Sequence, residues 1–403
     1  MQLEPANQNT PRPSPQIQEV WKTKVLNLKK SWEEFTGKRV VIQSLPFKAI
    51  IELTQNCNFK CTMCPQSWES KYSKYNPSLN MSFDLFRKLA EQIFPTLIAA
   101  DLRGFGETTM LPYWPEVISY LEKYPYIDWY LVTNLSHPKA ELWEKMISLG
   151  FELGFSCDGA TKETFEAIRV GANFKQIRKN LKVIQSALKL YNRGLIYFIS
   201  TIQKKNFHEM GQIVELAAEF SVSEVQFKMV QGEKWQFYDL DPLIMKNHSE
   251  DAINKGLEHG VRVTFNDWFF TKNVDKNKLA QVEALPSRST PNNFQVSPAF
   301  DRDFWGKEGL HEIFTKIMDF SSRTSINQKC YKPFGFTYIN YEGLMGTCNH
   351  MIDPGMLVMG DLRKESLKEI WNCEAYQDFR RQLITATPKD PRCQWCFKHR
   401  LED

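Results

Sequence analysis

Three cysteines stand close together near the start of the chain and could hold a metal cluster. Cys57, Cys61 and Cys64 follow a C-x3-C-x2-C spacing directly after an apolar run. Thiolates so placed can bind three irons of a [4Fe–4S] cubane and leave the fourth iron open. An open iron can chelate the amino and carboxylate groups of a methionine. A zinc site is the alternative, but zinc usually takes four protein ligands and more often uses C-x2-C pairs.

Four further cysteines near the carboxyl end form a second candidate ligand set. Cys330 and Cys348 bracket a hairpin-like run, and Cys393 and Cys396 form a later C-x2-C pair. Four thiolates are enough to close a second cluster with no open iron. A zinc ion held by the same four cysteines is the alternative.

The elements that must position these cysteines begin at residue 47, where apolar runs start to alternate with amphipathic segments. The pattern predicts strands at 47–53, 97–102, 129–133, 152–157, 195–202 and 224–230. It predicts helices between them at 82–93, 116–123, 139–149, 174–190 and 208–220. Six βα units imply a parallel sheet with helices outside. The predicted fold is therefore α/β, a partial (β/α)6 TIM-like barrel with an α+β extension. Its active site is expected at the carboxyl ends of the strands.

The pattern divides the chain into four segments. Residues 1–45 are expected to form an N-terminal extension, disordered to about residue 15 and then helical over 17–35. Residues 46–231 form the barrel, and 232–328 are expected to be an irregular, aromatic-rich bridging or substrate region. Residues 329–403 would form the auxiliary-cluster domain.

Charge, apolar runs and cysteine content indicate which partners and which cellular compartment to expect. The chain has 403 residues and a formal net charge of +4, which favours neither a nucleic-acid nor a membrane partner. No apolar run is long enough to span a membrane, and the polar N-terminus does not resemble a signal peptide. We therefore expect a cytoplasmic protein. In that compartment nine cysteines favour metal binding or catalysis over disulfides.

On its three-cysteine motif and the βα series that follows, the chain resembles the radical SAM enzymes over about residues 47–231. The resemblance implies that a reduced cluster donates an electron to S-adenosylmethionine (SAM). The resulting 5′-deoxyadenosyl radical then abstracts a hydrogen atom from the substrate. It also implies an external reductant such as flavodoxin or ferredoxin.

The same resemblance implies SAM contacts just after the carboxyl end of the second strand. Gly104, Gly106 and Glu107 match the family's Gly-Gly-Glu-like turn, in which the glycines let the backbone approach the ligand. Glu107 would then receive the SAM ammonium group. Thr108 follows it where the family more often has proline. A plain β-turn is the alternative.

Three positions further along the chain also match the family pattern. Asn134 corresponds to a polar contact near the adenosyl group. Ser156 and Arg169 correspond to residues that bind the methionine carboxylate. For Arg169 the alternative is an ordinary salt bridge on a helix surface.

The carboxyl-terminal spacing, C-x12-G-x4-C followed by C-x2-C, resembles the twitch or SPASM extensions of radical SAM enzymes. A full SPASM domain has seven cysteines and two auxiliary clusters. No cysteine follows Cys396 here, so the resemblance implies one auxiliary [4Fe–4S] cluster.

Two cysteines remain unassigned. Strand alternation predicts that Cys157 faces the helical layer if Ser156 faces the barrel interior, which makes Cys157 a packed core thiol. In the resemblance, Cys373 lies between the barrel and the second cluster. The family's epimerases use such a thiol to return a hydrogen atom from the face opposite SAM. The alternative is that Cys373 is only a buried helix residue.

The leading hypothesis is therefore a proteusin-type peptide epimerase that makes D-residues in a ribosomal precursor peptide, with Cys373 as its catalytic residue. A second hypothesis is a dehydrogenase, acting on a peptide or a small molecule, or a peptide-crosslinking enzyme. In it the auxiliary cluster accepts an electron. A third is a non-enzymatic protein that binds an iron–sulfur cluster or zinc.

Overall fold

The computed structural model describes residues 15–230, 241–286, 330–348, 351 and 355–399. These ranges contain all nine cysteines, each of them a free thiol. The predicted disorder at the N-terminus falls on residues outside the described ranges, apart from Pro15. Within the described residues, no helix is both long and apolar enough to cross a membrane.

The centre of the fold is a ten-stranded sheet with the order β10-β9-β8-β1-β2-β3-β4-β5-β6-β7. Strands β1 to β7 are parallel, and β8 adds to the free side of β1, also in parallel. Strand β9 is antiparallel to both of its neighbours, β8 and β10. The strands are β1 Lys48–Ile51, β2 Ala99–Asp101, β3 Asp128–Thr133, β4 Glu152–Ser156, β5 Leu195–Ile202, β6 Glu224–Met229, β7 Arg262–Phe265, β8 Phe336–Ile339, β9 Leu344–Gly346 and β10 Gly360–Asp361.

Helices connect the parallel strands, as the amphipathic segments predict. The helices are α1 Pro15–Thr36, α2 Phe83–Ile93, α3 Trp114–Leu121, α4 Ala140–Ser148, α5 Lys162–Ile168, α6 Phe174–Tyr191, α7 Met210–Glu219, α8 Pro242–His259, α9 Trp268–Thr271, α10 Lys276–Glu283, α11 Lys332–Gly335, α12 Leu367–Trp371, α13 Glu374–Ile384 and α14 Pro391–His399. All six predicted strands and five predicted barrel helices are confirmed within a few residues. The start of α2 shows why, since the Ser82 hydroxyl accepts a hydrogen bond from the backbone N–H of Leu85.

The expectation that residues 232–328 are irregular is wrong for their described part. Helix α8 begins after the capping side chain of Asp241 and ends at Gly260, whose φ of 68° is left-handed. Strand β7 then pairs with β6 and extends the parallel sheet. The pattern was missed because small or polar residues such as Ser249 and Gly256 share the buried face of α8 with its few apolar residues.

The inner face of the sheet lines an open lumen. Along β6, Val225, Phe227 and Met229 are buried, whereas the alternating residues, including Lys228, are half-buried. The same alternation occurs on β3, where Tyr130 is half-buried between buried neighbours. One face of the sheet therefore packs against the helices, and the other remains accessible, as a substrate-binding barrel requires.

Helix α1 closes the amino-terminal end of the barrel. The buried Lys24 ammonium donates to the carbonyl oxygens of Phe94, at 2.8 Å, and Leu97, both just before β2. Burial lowers the pKa of Lys24 to about 7. The hydroxyl of Ser31 donates to the carbonyl of Phe334 at 2.5 Å, so α1 also holds the segment that leads into β8.

Candidate cluster-binding sites

The three-cysteine loop lies directly after β1, at the carboxyl ends of the parallel strands. Cys61 is buried, and Cys57 and Cys64 are half-buried. The loop is fixed by its backbone, since Lys60 N donates to the carbonyl of Val170 at 2.8 Å. Three free thiols in one ordered loop, at the end of the barrel where the active site was predicted, fit a [4Fe–4S] cluster with an open iron.

The surroundings of these thiols favour their neutral form. Burial raises the pKa of all three, and for Cys57 it acts together with the nearby Glu107 carboxylate to give a pKa of about 12. The backbone N–H of Phe59 points at the Cys57 sulfur, 3.5 Å away, and stabilises its thiolate. Binding of iron must therefore displace protons from these cysteines, which couples cluster assembly to pH.

The glycine turn after β2 packs against the three-cysteine loop. A Cβ atom on Gly106 would lie 2.2 Å from the carbonyl oxygen of Asn56, and one on Gly104 would lie 2.2 Å from Cγ of Glu52. The Glu107 N–H donates to the same Asn56 oxygen at 2.8 Å. Glycine is therefore required at both positions because a side chain there would collide with the segment that precedes Cys57.

Glu107 is held in place by β3. Its carboxylate accepts hydrogen bonds from the hydroxyls of Thr109 at 2.6 Å and Thr133 at 2.7 Å, and from the N–H of Asn134 at 2.7 Å. Burial raises its pKa despite these donors. Its predicted contact with the SAM ammonium remains a prediction.

The other predicted SAM contacts lie around the same end of the barrel. The Asn134 side chain donates to Asn58 of the three-cysteine loop at 3.0 Å. Ser156 is half-buried at the end of β4, while the next residue, Cys157, is fully buried. The structure thus brings Asn134 to the loop and leaves Ser156 accessible. It also makes Cys157 the core thiol that strand alternation predicts.

Arg169 is not a surface salt bridge. Its Nε lies 2.6 Å from Oδ2 of the fully buried Asp158, and the Arg169 side chain is only 13% exposed. Its Nη1 lies 3.8 Å from the sulfur of Cys61. The other Asp158 oxygen accepts from the N–H of Thr201 on β5 at 2.7 Å. Arg169 is therefore a fixed positive charge beside a cluster ligand, where it can bind a carboxylate.

The four carboxyl-terminal cysteines line one pocket. Cys330, Cys348, Cys393 and Cys396 surround it together with apolar side chains that include Phe379. Burial and the nearby thiols raise the pKa of Cys330 to about 12. The β8–β9 hairpin joins Cys330 to Cys348, and α14 supplies the other pair. This donor set fits a cluster with four protein ligands.

Within the described residues, Cys373 lies directly before α13, on the outer side of the sheet. The Cys373 thiol donates a hydrogen bond to the carbonyl of Met359 at 3.5 Å. Helix α13 packs on the outer face of the sheet, because the Tyr376 hydroxyl and the Thr337 hydroxyl both donate to the carbonyl of Gly346. The neighbouring Asn372 side chain holds the backbone of Ile42, before the amino end of β1.

On β8, Tyr338 follows Thr337 and therefore points to the opposite, inner face of the sheet. Its hydroxyl donates to the buried Glu52 carboxylate at 2.9 Å, and Glu52 in turn accepts from the N–H of Phe105 at 2.7 Å. Cys373 therefore lies on the opposite side of the β8–β9 pair from Tyr338, and its role as a hydrogen donor stays a prediction. Glu52 was missed in the sequence, although an acidic residue within the apolar run 47–53 is a usable signal.

Sequence and structure comparisons agree with these two sites. Residues 51–217 match the family model of the radical SAM superfamily, and residues 330–397 match the SPASM iron–sulfur cluster-binding domain. No curated protein matches the sequence.

Solved structures share the fold. SuiB of Streptococcus suis bound to SAM aligns with a TM-score of 0.56 and 13% identity, over 93% of this chain and 74% of its own. SuiB bound to its precursor peptide SuiA aligns with a TM-score of 0.53 and 11% identity, over 88% and 70%. The enzyme anSMEcpe with SAM and the Cp18Cys peptide aligns with a TM-score of 0.53 and 16% identity, over 88% and 87%.

The two family models together span more than half of the chain, and each covers one of the two cysteine sets. Cys57, Cys61 and Cys64 would hold the SAM-binding [4Fe–4S] cluster, and the carboxyl-terminal pocket would hold the auxiliary iron–sulfur cluster. The chain belongs to the radical SAM superfamily and is a SAM-dependent enzyme with a carboxyl-terminal SPASM domain.

Proposed function

We propose that this enzyme oxidises a peptide substrate, either by forming a crosslink or by dehydrogenation. The peptide class is supported by the similar solved structures, in which SuiB binds the precursor peptide SuiA and anSMEcpe binds the Cp18Cys peptide. The burial pattern agrees with this class, because inner-face residues of β3 and β6 are half-buried and so remain partly accessible.

The main observation that supports oxidation rather than epimerisation is the position of the cysteines. Seven of the nine cysteines form the two cluster sites, which leaves Cys157 and Cys373. Cys157 is fully buried on the helix side of β4, and Cys373 lies outside the β8–β9 pair. An epimerase that returns hydrogen from a cysteine needs a thiol facing the substrate. The contacts of the two remaining cysteines place neither thiol on the inner side of the sheet within the described residues, which supports the oxidative proposal.

Cys57, Cys61 and Cys64 would hold the cluster that, with SAM, supplies a hydrogen-abstracting radical, and the four carboxyl-terminal cysteines would hold a cluster able to accept an electron. The chain's own residues hold and orient the reactants. Arg169 provides a fixed positive charge for a carboxylate beside Cys61, and the Asp158 pair prevents its side chain from swinging away.

Product mass tests this proposal directly. The reconstituted enzyme, SAM and a reductant are incubated with candidate precursor peptides in deuterated water. We expect 5′-deoxyadenosine and a peptide that has lost two hydrogens. Cys373→Ala should give the same product at a similar rate, and Cys157→Ala is the matched control for loss of a buried thiol.

Epimerisation, the leading hypothesis from the sequence, gives a different result in the same assay. The peptide would gain one deuterium at Cα without oxidation, and Cys373→Ala would abolish that incorporation. This outcome would overturn the oxidative proposal. It would also require the α12–α13 junction to move Cys373 into the lumen.

A further inference from the structure

A lysine faces the lumen near the carboxyl end of β6. Lys228 lies opposite Thr201 in the β5–β6 register and is half-buried, whereas its neighbours Phe227 and Met229 are buried against the helices. Strand alternation therefore directs the Lys228 ammonium into the lumen.

A second cation shares this part of the lumen. Arg103 follows β2. Burial lowers the pKa of Lys228, and the positive charge of Arg103 adds to this effect. Nη2 of Arg103 lies 2.5 Å from Oδ2 of Asp101, and the Arg103 side chain is 45% exposed. Arg103 directly after β2 and Lys228 on β6 thus bring two cations to the lumen from different parts of the barrel.

The acidic groups of the lumen already have other partners. Asp101 pairs with Arg103, and Glu224 lies 3.7 Å from Arg262 and accepts from Gln226 at 2.9 Å. The third acidic residue, Glu152, accepts a hydrogen bond from the Tyr130 hydroxyl. Within the described part of the chain, no carboxylate forms an ion pair with Lys228.

This arrangement leaves one uncompensated positive charge in a half-buried cleft. Two like charges in a half-buried cleft repel each other, and an anion between them relieves that repulsion. A carboxylate placed between Lys228 and Arg103 would gain charge-assisted hydrogen bonds and relieve that repulsion.

We propose that Lys228 and Arg103 form a carboxylate-binding subsite that selects peptide substrates with an acidic residue near the reacting position. The inference rests on the proposed peptide function and names the substrate class of the same lumen. SAM also carries a carboxylate, which the family pattern assigns to Ser156 and Arg169. A test must therefore separate these two sources of one chemistry.

The peptide arm uses a random peptide display library on one neutral scaffold. The immobilised, reconstituted full-length enzyme with SAM selects peptides from it. Four proteins are compared: wild type, Lys228→Gln, Lys228→Glu and the control Lys175→Glu. Lys175 lies on the exposed face of α6 and gives the same change in net charge. The SAM arm measures the affinity of each protein for SAM by calorimetry.

We expect wild type and Lys175→Glu to enrich Asp and Glu about tenfold over Gln and Asn, the effect of one charge-assisted contact. Lys228→Gln should lose this enrichment, and Lys228→Glu should enrich Lys and Arg instead. SAM affinity should stay the same in all four proteins.

Retention of peptides without acidic enrichment would overturn the subsite and leave the peptide function standing. Failure of every protein to retain any peptide would overturn the peptide function as well. A tenfold loss of SAM affinity in Lys228→Gln would assign the cations to SAM and overturn the proposal too.

Discussion

Substitution of Gly106 by alanine tests whether the glycine turn positions the three-cysteine loop. The added Cβ would lie 2.2 Å from the carbonyl oxygen of Asn56 and 2.8 Å from its nitrogen, and both atoms belong to the backbone. Ordinary contact requires more than 3 Å, so the turn and the loop must separate by about 1 Å. Overpacking of this kind costs about 1–3 kcal/mol.

The separation also weakens two backbone hydrogen bonds, from Gly106 to Thr54 and from Glu107 to Asn56. Each contributes about 1 kcal/mol, so weakening both by about half adds about 1 kcal/mol, and the total loss of unfolding free energy is about 2–4 kcal/mol. Asn56 directly precedes Cys57, and metal sites tolerate displacements of only about 0.2 Å. We therefore expect the variant to lose roughly the four irons of the first cluster and to stop cleaving SAM.

The assay combines iron content after anaerobic reconstitution, formation of 5′-deoxyadenosine, and thermal unfolding. Gly260→Ala is the matched control, because its Cβ meets no atom within 4 Å but its φ of 68° is strained for alanine. It should cost about 1–2 kcal/mol of stability and retain both clusters. A Gly106→Ala protein that keeps full iron and wild-type SAM cleavage would refute the reasoning.

Three further predictions concern other parts of the chain. Arg169→Gln leaves Asp158 buried without its partner and should cost about 3–5 kcal/mol in denaturant unfolding, and adding Asp158→Asn should restore most of it. Burial raises the pKa of Glu152 to about 7, so the folded state binds this proton more tightly than the unfolded chain. Stability should therefore fall as pH rises from 4.5 through 7, and Glu152→Gln should add up to about 3 kcal/mol at pH 8 and flatten this slope, as measured by unfolding at several pH values. Cys393→Ser should lose the iron of the second cluster but still cleave SAM, which iron analysis and 5′-deoxyadenosine formation will check.

The barrel could be predicted from sequence because its signals are local. Apolar runs of strand length and caps such as Ser82 fix each βα unit without reference to distant residues. The three-cysteine motif could be predicted for the same reason, because Cys57, Cys61 and Cys64 all lie in one loop. Helix α8 was missed because Ser249 and Gly256 reach its buried face, so its apolar period is weak.

Features that depend on distant contacts could not be predicted. The side of the sheet that Cys373 occupies is set by hydrogen bonds from α13 to β9 and from Asn372 to Ile42, and no local pattern encodes them. The pairing of Arg169 with the buried Asp158 likewise depends on how α5 returns to β4. Spacing therefore predicts the cluster ligands as sets, whereas the position of a single thiol relative to the sheet depends on the tertiary structure.

The pairing of β8 with β1 has a consequence for the synthesis of this protein. Lys48 pairs with Phe336, which is translated 288 residues later. At about 5–20 residues per second, that interval is roughly 15–60 s. During this time the first strand has an unpaired edge on the side that β8 later covers, and such edges promote aggregation. We therefore expect the nascent chain to benefit from a chaperone until β8 has been synthesised. Assembly of the iron–sulfur clusters is then expected after release from the ribosome.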